Sequence, residues 1–200
     1  MLYSARVSLL AAILVGTASI DGIAEGLSAV TGVFGIDLGR PLPDNLIKIS
    51  RGNVHDVRPP DPHSDFSYYS VETTKGRRVF QIDALGYMAT HSLCELAANE
   101  IRKIYEKRYR VTFTGPTRNG SPPSLHWTRW TASEGKATSF MDLPNPREKR
   151  LYIGCDTHPG KSKILNSQKI DDTTISLTLV DEAVTTDEKL GDRLKNSKAF

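Results

Sequence analysis

The feature that most constrains the fold is residues 90–109, the only long stretch of the chain with clean helical periodicity. Its apolar side chains recur at helical spacing in two adjacent stripes. The first stripe is Leu93, Ala97, Ile101 and Ile104, and the second is Cys94, Ala98, Ile101 and Tyr105. Ser92 and Glu95 have the spacing of a capping box, which marks a helix N-terminus. We therefore expect one amphipathic helix that packs on the rest of the fold.

The N-terminus has the three parts of a secretory signal peptide. A positive charge at Arg6 precedes an apolar run over 7–15, and small residues follow at 16–19. This run is too short to span about 30 Å of hydrocarbon, which argues against an uncleaved membrane anchor. A buried helix of the mature fold, the other alternative, leaves the charge and the small residues unexplained. We predict a signal peptide over 1–18 and a secreted or periplasmic protein.

The two cysteines take their meaning from this predicted export. In an oxidising compartment a pair of cysteines is most simply a disulfide, so we predict a bond between Cys94 and Cys155. The alternative is a zinc site, because His91 precedes Cys94 by three residues and His158 follows Cys155 by three. Two sulfurs and two imidazoles can surround Zn²⁺ tetrahedrally. The compartment favours the disulfide, and we predict no resident metal or other cofactor.

Most of the remaining chain alternates between strand-like segments and turns. The predicted strands lie within 32–43, 46–49, 66–73, 77–84, 111–114, 124–132, 136–143, 150–156 and 173–180. The predicted loops, from their proline, glycine and polar residues, are 52–65, 115–123 and 158–172. Residues 52–65 also hold histidines and aspartates, but without metal-type spacing they read as solvated side chains. Thr185 and Glu188 form another capping box, which indicates a short C-terminal helix within 185–194.

This order of elements predicts an α+β fold. We expect a mainly antiparallel sheet of about six to eight strands with one central amphipathic helix packed on it. The expected organisation is a signal peptide at 1–18, a flexible lead-in at 19–31, a single domain at 32–182 and a tail at 183–200. No other apolar run is long enough for a transmembrane helix, so we expect a soluble mature chain without a membrane span.

Charge and motifs exclude some function classes. The chain has 26 basic and 23 acidic residues in an interleaved pattern, so it lacks the basic stripe that a nucleic-acid partner requires. It contains no G-x-S-x-G, H-E-x-x-H or C-x-x-C motif. We therefore expect a non-catalytic binding or envelope-associated protein whose partner is a cell-envelope or extracellular component. The alternative is a small exported hydrolase or metal-dependent enzyme with dispersed catalytic residues.

The best candidate for a ligand site is the segment from His126 to Trp130. Strand alternation puts Trp127 on one face and Trp130 with His126 on the other, so one indole should be buried and the other exposed. An exposed tryptophan beside arginine or histidine can stack on a sugar or hold a peptide. We therefore predict His126, Trp127, Arg129 and Trp130 as candidate ligand-binding residues. The alternative is that Trp130 simply packs under a loop.

Overall fold

The computed structural model describes residues 26–119, 126–133, 149–165 and 168–186. The predicted signal peptide, the predicted strand at 136–143 and residues 187–200 of the predicted tail lie outside these ranges. Within the described ranges, no helix combines the length and the apolar composition that crossing a bilayer requires.

Most described residues belong to strands or to one long helix, α1, which spans His91–Tyr109. The strands are β1 Gly32–Val33, β2 Ile36–Asp37, β3 Ile47–Arg51, β4 Val54–Val57, β5 Tyr68–Thr73, β6 Val79–Met88, β7 Thr114–Asn119, β8 His126–Ser133, β9 Lys149–Leu165 and β10 Gln168–Asp181. The 3₁₀ turns are Gly26–Ala29 and Asp44–Leu46, and a short second helix covers 182–186.

The predicted α+β fold class is confirmed. Eight strands form one antiparallel sheet in the order β3-β4-β5-β6-β10-β9-β8-β7, and β1 and β2 form a separate hairpin. The short second helix lies near the predicted C-terminal one, although it starts at 182, before the Thr185 capping box.

The core lies between α1 and the centre of the sheet. In β10, Ile175, Leu177 and Leu179 are at most 1% exposed, and the residues between them point to the opposite face. The register continues this pattern, since Leu177 pairs with Ile153 of β9 and Ala84 of β6, both buried. The two-residue period predicted for 173–180 therefore defines the face that α1 covers.

The start and the orientation of α1 differ from the prediction. Thr90 caps the helix by accepting a hydrogen bond from the Leu93 amide, so the cap lies two residues before the predicted Ser92. Only the second predicted stripe is buried, through Cys94, Ala98 and Ile101. In the first stripe the outer residues Leu93 and Ile104 are 50% and 51% exposed, so its prediction as a buried stripe is wrong.

A disulfide between α1 and the sheet agrees with this orientation of the helix. The Sγ atoms of Cys94 and Cys155 lie 2.07 Å apart, at disulfide distance, and link α1 to β9. The corresponding Cα atoms are 5.8 Å apart, which holds the Cys94 side of the helix against the sheet. Leu93 and Ile104 lie on another side of the helix and consequently face outward.

The N-terminal part of the described chain is more closely packed than predicted. Within the expected flexible lead-in, Leu27 and Val30 are 5% and 0% exposed and belong to the core. The next segment is not one strand but the β1–β2 hairpin, with Phe34 and Gly35 at its turn. Both turn residues have positive φ, 56° and 76°, the combination that two-residue hairpin turns favour.

Three predicted loops contain strands. β4 lies within 52–65, β7 enters 115–123, and β9 and β10 continue through most of 158–172 as one long hairpin. In each case a neighbouring strand supplies the hydrogen-bond partners, so pairing overrides the turn-like composition. Of the first loop, mainly the proline-rich residues 58–65 remain irregular.

We predict that replacing both cysteines by serine lowers the free energy of unfolding by about 4 kcal/mol on the chain-entropy model for a separation of 61 residues. Urea unfolding of the oxidised protein and of the Cys94→Ser/Cys155→Ser variant measures the difference. The control is the unsubstituted protein treated with reductant, which should unfold like the variant. Equal unfolding midpoints for the oxidised protein and the variant would refute this account of the fold.

Candidate functional site

A cleft of about 390 Å³ lies beside the C-terminal half of α1. Three separate segments form it: the β1–β2 hairpin with Thr31, the loop over 61–66, and α1 from Ile101 to Tyr109. Leu177 of β10 also lines it, so the cleft lies on the face of the sheet that α1 covers. We call this feature the hairpin–helix cleft.

Four phenylalanine and tyrosine rings line the hairpin–helix cleft: Phe34, Phe66, Tyr105 and Tyr109. Phe34 and Phe66 meet edge to face with ring centroids 5.5 Å apart, and Phe34 also meets Tyr69 at 5.1 Å. On the helix side, Tyr105 and Tyr109 stack at 5.8 Å, as expected for residues one turn apart. Burial raises the pKa of Tyr105 strongly, so its hydroxyl remains protonated and able to donate a hydrogen bond.

Hydrogen bonds hold the non-helical walls of the cleft in place. The Asp61 amide donates to the Phe34 carbonyl oxygen at 3.2 Å, which ties the loop to the hairpin turn. The His63 amide donates to the Tyr69 hydroxyl at 2.9 Å, and that hydroxyl donates to the His63 carbonyl at 3.0 Å. Gly35 admits this approach because a Cβ atom there would lie 3.0 Å from the Asp61 carboxylate. Hydrogen bonds within the protein therefore fix the hairpin and loop walls of the cleft.

Charged side chains lie at the rim of the cleft. Asp37, Asp61 and Arg108 all line it, and all three are exposed. The Arg108 guanidinium lies 5.2 Å from the centre of the Tyr109 ring, so it already rests against one aromatic wall. The rim therefore carries two carboxylates and one stacked cation around an apolar interior.

A polar cluster lies at the N-terminal end of α1, away from the cleft. His91 Nδ1 is 2.9 Å from the Thr157 hydroxyl, and His91 Nε2 is 3.0 Å from the Thr128 hydroxyl. Thr128 donates to Glu95 at 2.8 Å, and Arg118 donates to the same carboxylate at 3.2 Å. Because the single Thr128 proton is used on Glu95, His91 Nε2 is the donor to Thr128.

This cluster has the residue types of a nucleophile, base and acid triad, but its burial indicates a structural role. Thr128 is only 2% exposed, so its hydroxyl is out of reach of a substrate. Burial alone would raise the pKa of Glu95, but the Thr128 hydrogen bond and the charges of Arg118 and His91 lower it overall. The cluster therefore ties the start of α1 to β7, β8 and β9.

The predicted ligand-binding residues do not meet in the hairpin–helix cleft. Trp130 is 4% exposed and belongs to the core, whereas Trp127 and Arg129 point to the sheet face away from α1. There the Arg129 guanidinium lies 5.5 Å from the Trp127 ring centre and 5.9 Å from that of Tyr152. The side chain of His126 lies outside the described part of the structure. A ligand role for these residues stays a prediction.

The structure does not have the zinc site proposed as the alternative to the disulfide. The sulfurs of Cys94 and Cys155 are bonded to each other, and both ring nitrogens of His91 contact threonine hydroxyls. The side chain of His158 lies outside the described residues. Among the side chains that are described, no group of three or more histidine, cysteine, aspartate or glutamate residues is arranged to hold a metal ion.

We predict that Glu95→Gln lowers the free energy of unfolding at pH 7 by about 1–2 kcal/mol, because charge-assisted hydrogen bonds are lost. The folded-state pKa of Glu95 lies below its ordinary value of 4.5, so its stabilisation is present above that value and disappears as the pH falls through the folded pKa. Unfolding measured between pH 7 and pH 3 should show the difference shrinking. Glu100→Gln is the control, since that side chain is 70% exposed. A difference that does not change with pH would contradict the assignment.

Comparison with known proteins supplies no family for this chain. No protein-family model matches it, and neither the curated proteins nor the solved structures give a significant match. Any function must therefore be argued from the geometry and the chemistry of the hairpin–helix cleft.

Proposed function

We propose that the protein is an exported, non-catalytic binding protein and that the hairpin–helix cleft is its binding site. The observation that carries this proposal is a cleft of about 390 Å³ with aromatic walls and a charged rim. Ligand sites in proteins are typically concave, largely apolar and equipped with a few polar groups that orient the ligand. The volume suits a small molecule or one or two side chains of a larger partner.

Rigid support for the cleft favours a binding role. Ile101 and Leu177, which form its inner part, are 4% and 1% exposed and belong to the core. The Cys94–Cys155 link holds α1 on the sheet, and the Tyr69 hydroxyl holds the loop at His63. A preformed site loses little conformational entropy when a ligand binds, which increases the affinity.

The chemistry of the cleft favours binding over catalysis. His63 is its only described histidine, and the Asp65 amide donates to His63 Nδ1 at 3.3 Å. Described lining residues include neither cysteine nor serine, and their one threonine, Thr31, is exposed. A serine or cysteine nucleophile next to a base, which many hydrolases use, is thus not among the described lining groups.

Export is supported by two independent features of the chain. Residues 1–19 have the charge, apolar run and small-residue site of a signal peptide. Cys94 and Cys155, the two cysteines of the chain, lie at disulfide distance, which is compatible with an oxidising compartment. We therefore propose that the cleft meets its ligand outside the cytoplasm.

We predict that Ile104→Trp blocks the cleft. Ile104 lies at its rim and is 51% exposed, so the larger ring can enter the cleft without disturbing the core. In a chemical-shift titration with small aromatic fragments, we expect perturbed amides over 31–37, 61–66 and 101–109, and at least about tenfold weaker binding in the variant.

The matched control is Leu96→Trp, which adds the same ring to the same helix at a site that is 62% exposed and outside the cleft. This variant should bind the fragments as the unsubstituted protein does. Equal losses in both variants, or perturbed amides confined to other parts of the surface, would refute the assignment of the site.

We predict that the full chain is processed and oxidised when a host with a secretory pathway produces it. N-terminal sequencing should show a mature chain beginning at residue 19, or at residue 20 if cleavage is one residue later. The intact mass should be lower by two hydrogens than that of the reduced chain. Leu10→Arg, which interrupts the apolar run, is the control that should remain unprocessed. An unprocessed chain with two free thiols would contradict the proposed export.

A further inference from the structure

We infer that the ligand of the hairpin–helix cleft is an organic cation: an ammonium or guanidinium group that carries an apolar or aromatic portion. This inference rests on the proposed function and specifies its ligand class. Two observations carry it, namely the charges at the rim of the cleft and the rings in its walls. The ligand proposed is a small amine or guanidine of this kind, which a volume of about 390 Å³ admits.

The rim charges favour a cation. Asp37, at the end of the β1–β2 hairpin, and Asp61, which packs over Gly35, provide two carboxylates on the non-helical walls of the cleft. Neither carboxylate belongs to an ion pair among the described residues, in contrast to Asp44, which is paired with Arg77. Arg108 is the only lysine or arginine among the described residues that line the cleft, so these three groups sum to one negative charge.

The position of Arg108 reinforces this preference. Its guanidinium lies against the outer wall, 5.2 Å from the centre of the Tyr109 ring. Tyr109 itself stacks on Tyr105. The guanidinium of Arg108 is therefore held at the helix wall by its neighbour Tyr109. Asp37 and Asp61 belong to the hairpin and the loop, so a ligand cation near either carboxylate is on a different wall from Arg108.

The interior of the cleft suits the apolar portion of such a ligand. Phe34, Phe66 and Tyr105 present aromatic surface there, and an organic cation is attracted to the faces of such rings. Phe34 adopts a positive φ of 56°, an uncommon conformation for a bulky residue, and its ring is held by edge-to-face contacts with Phe66 and Tyr69. The two-residue turn requires this φ, and the turn together with the edge-to-face contacts fixes the position of the ring.

Three probes of the same size and different charge test the inference: benzylamine, benzyl alcohol and benzoate. We expect chemical-shift titration of the full oxidised protein to give binding in the cleft that is about fivefold to tenfold tighter for benzylamine than for benzyl alcohol, and weakest for benzoate. Asp37→Asn and Asp61→Asn should each weaken benzylamine binding about threefold and leave benzyl alcohol binding unchanged. Glu100→Gln removes the same charge from an exposed site on α1 outside the cleft and should change neither affinity.

The outcomes separate this inference from the proposed function. If all three probes bind in the cleft with equal affinity, or if benzoate binds most tightly, the cation inference is overturned and the proposed binding site stands. An equal effect of Glu100→Gln and the two aspartate substitutions also overturns it, since the preference would then follow net charge and not the rim. If no probe perturbs the amides that line the cleft, both the ligand class and the proposed function are overturned.

Discussion

The structure depends first on how α1 is seated on the centre of the sheet. Cys94, Ala98 and Ile101 place one side of the helix against β9 and β10, and the link from Cys94 to Cys155 allows only that side to face inward. The central strands are buried on this face, where Ile175 and Leu177 are 0% and 1% exposed. If the helix were rotated so that Leu93 faced the sheet, the disulfide could not form.

This seating gives the two ends of α1 different roles. At its N-terminal end the polar cluster of His91, Glu95 and Thr128 ties the helix to the sheet. At its C-terminal end Tyr105 and Tyr109 meet the hairpin and the loop over 61–66, where the walls do not close and the cleft remains. An α-helix is a regular and stiff element, so attachment of its N-terminal end to the sheet also fixes the position of its C-terminal end at the cleft.

The sequence predicts the features of the fold that arise from local periodicity, or from residues that have few possible partners. These include the antiparallel sheet, the central helix and the pairing of the two cysteines of the chain. The sequence does not predict features for which nearby residues, or alternative local structures, are about equally favourable. Thr90 and Ser92 are both good caps, and tertiary contacts recruit Glu95 to Thr128 and so remove the capping-box partner of Ser92. Likewise, the alternation over 32–38 fits one strand, but the positive φ values at Phe34 and Gly35 turn it into a hairpin.

The cleft was not predictable from the sequence for a related reason. Tryptophan beside arginine is the conspicuous aromatic signal, yet strand alternation sends Trp127 and Arg129 to the sheet face away from α1 and Trp130 into the core. The rings that line the cleft come from separate segments: Phe34 lies between Gly32 and Gly35, and Tyr105 and Tyr109 are one turn apart in a charged helix. No spacing rule relates these segments to each other, because the seating of α1 against the hairpin brings them together. The specificity of such a site therefore depends on tertiary packing more than on any motif.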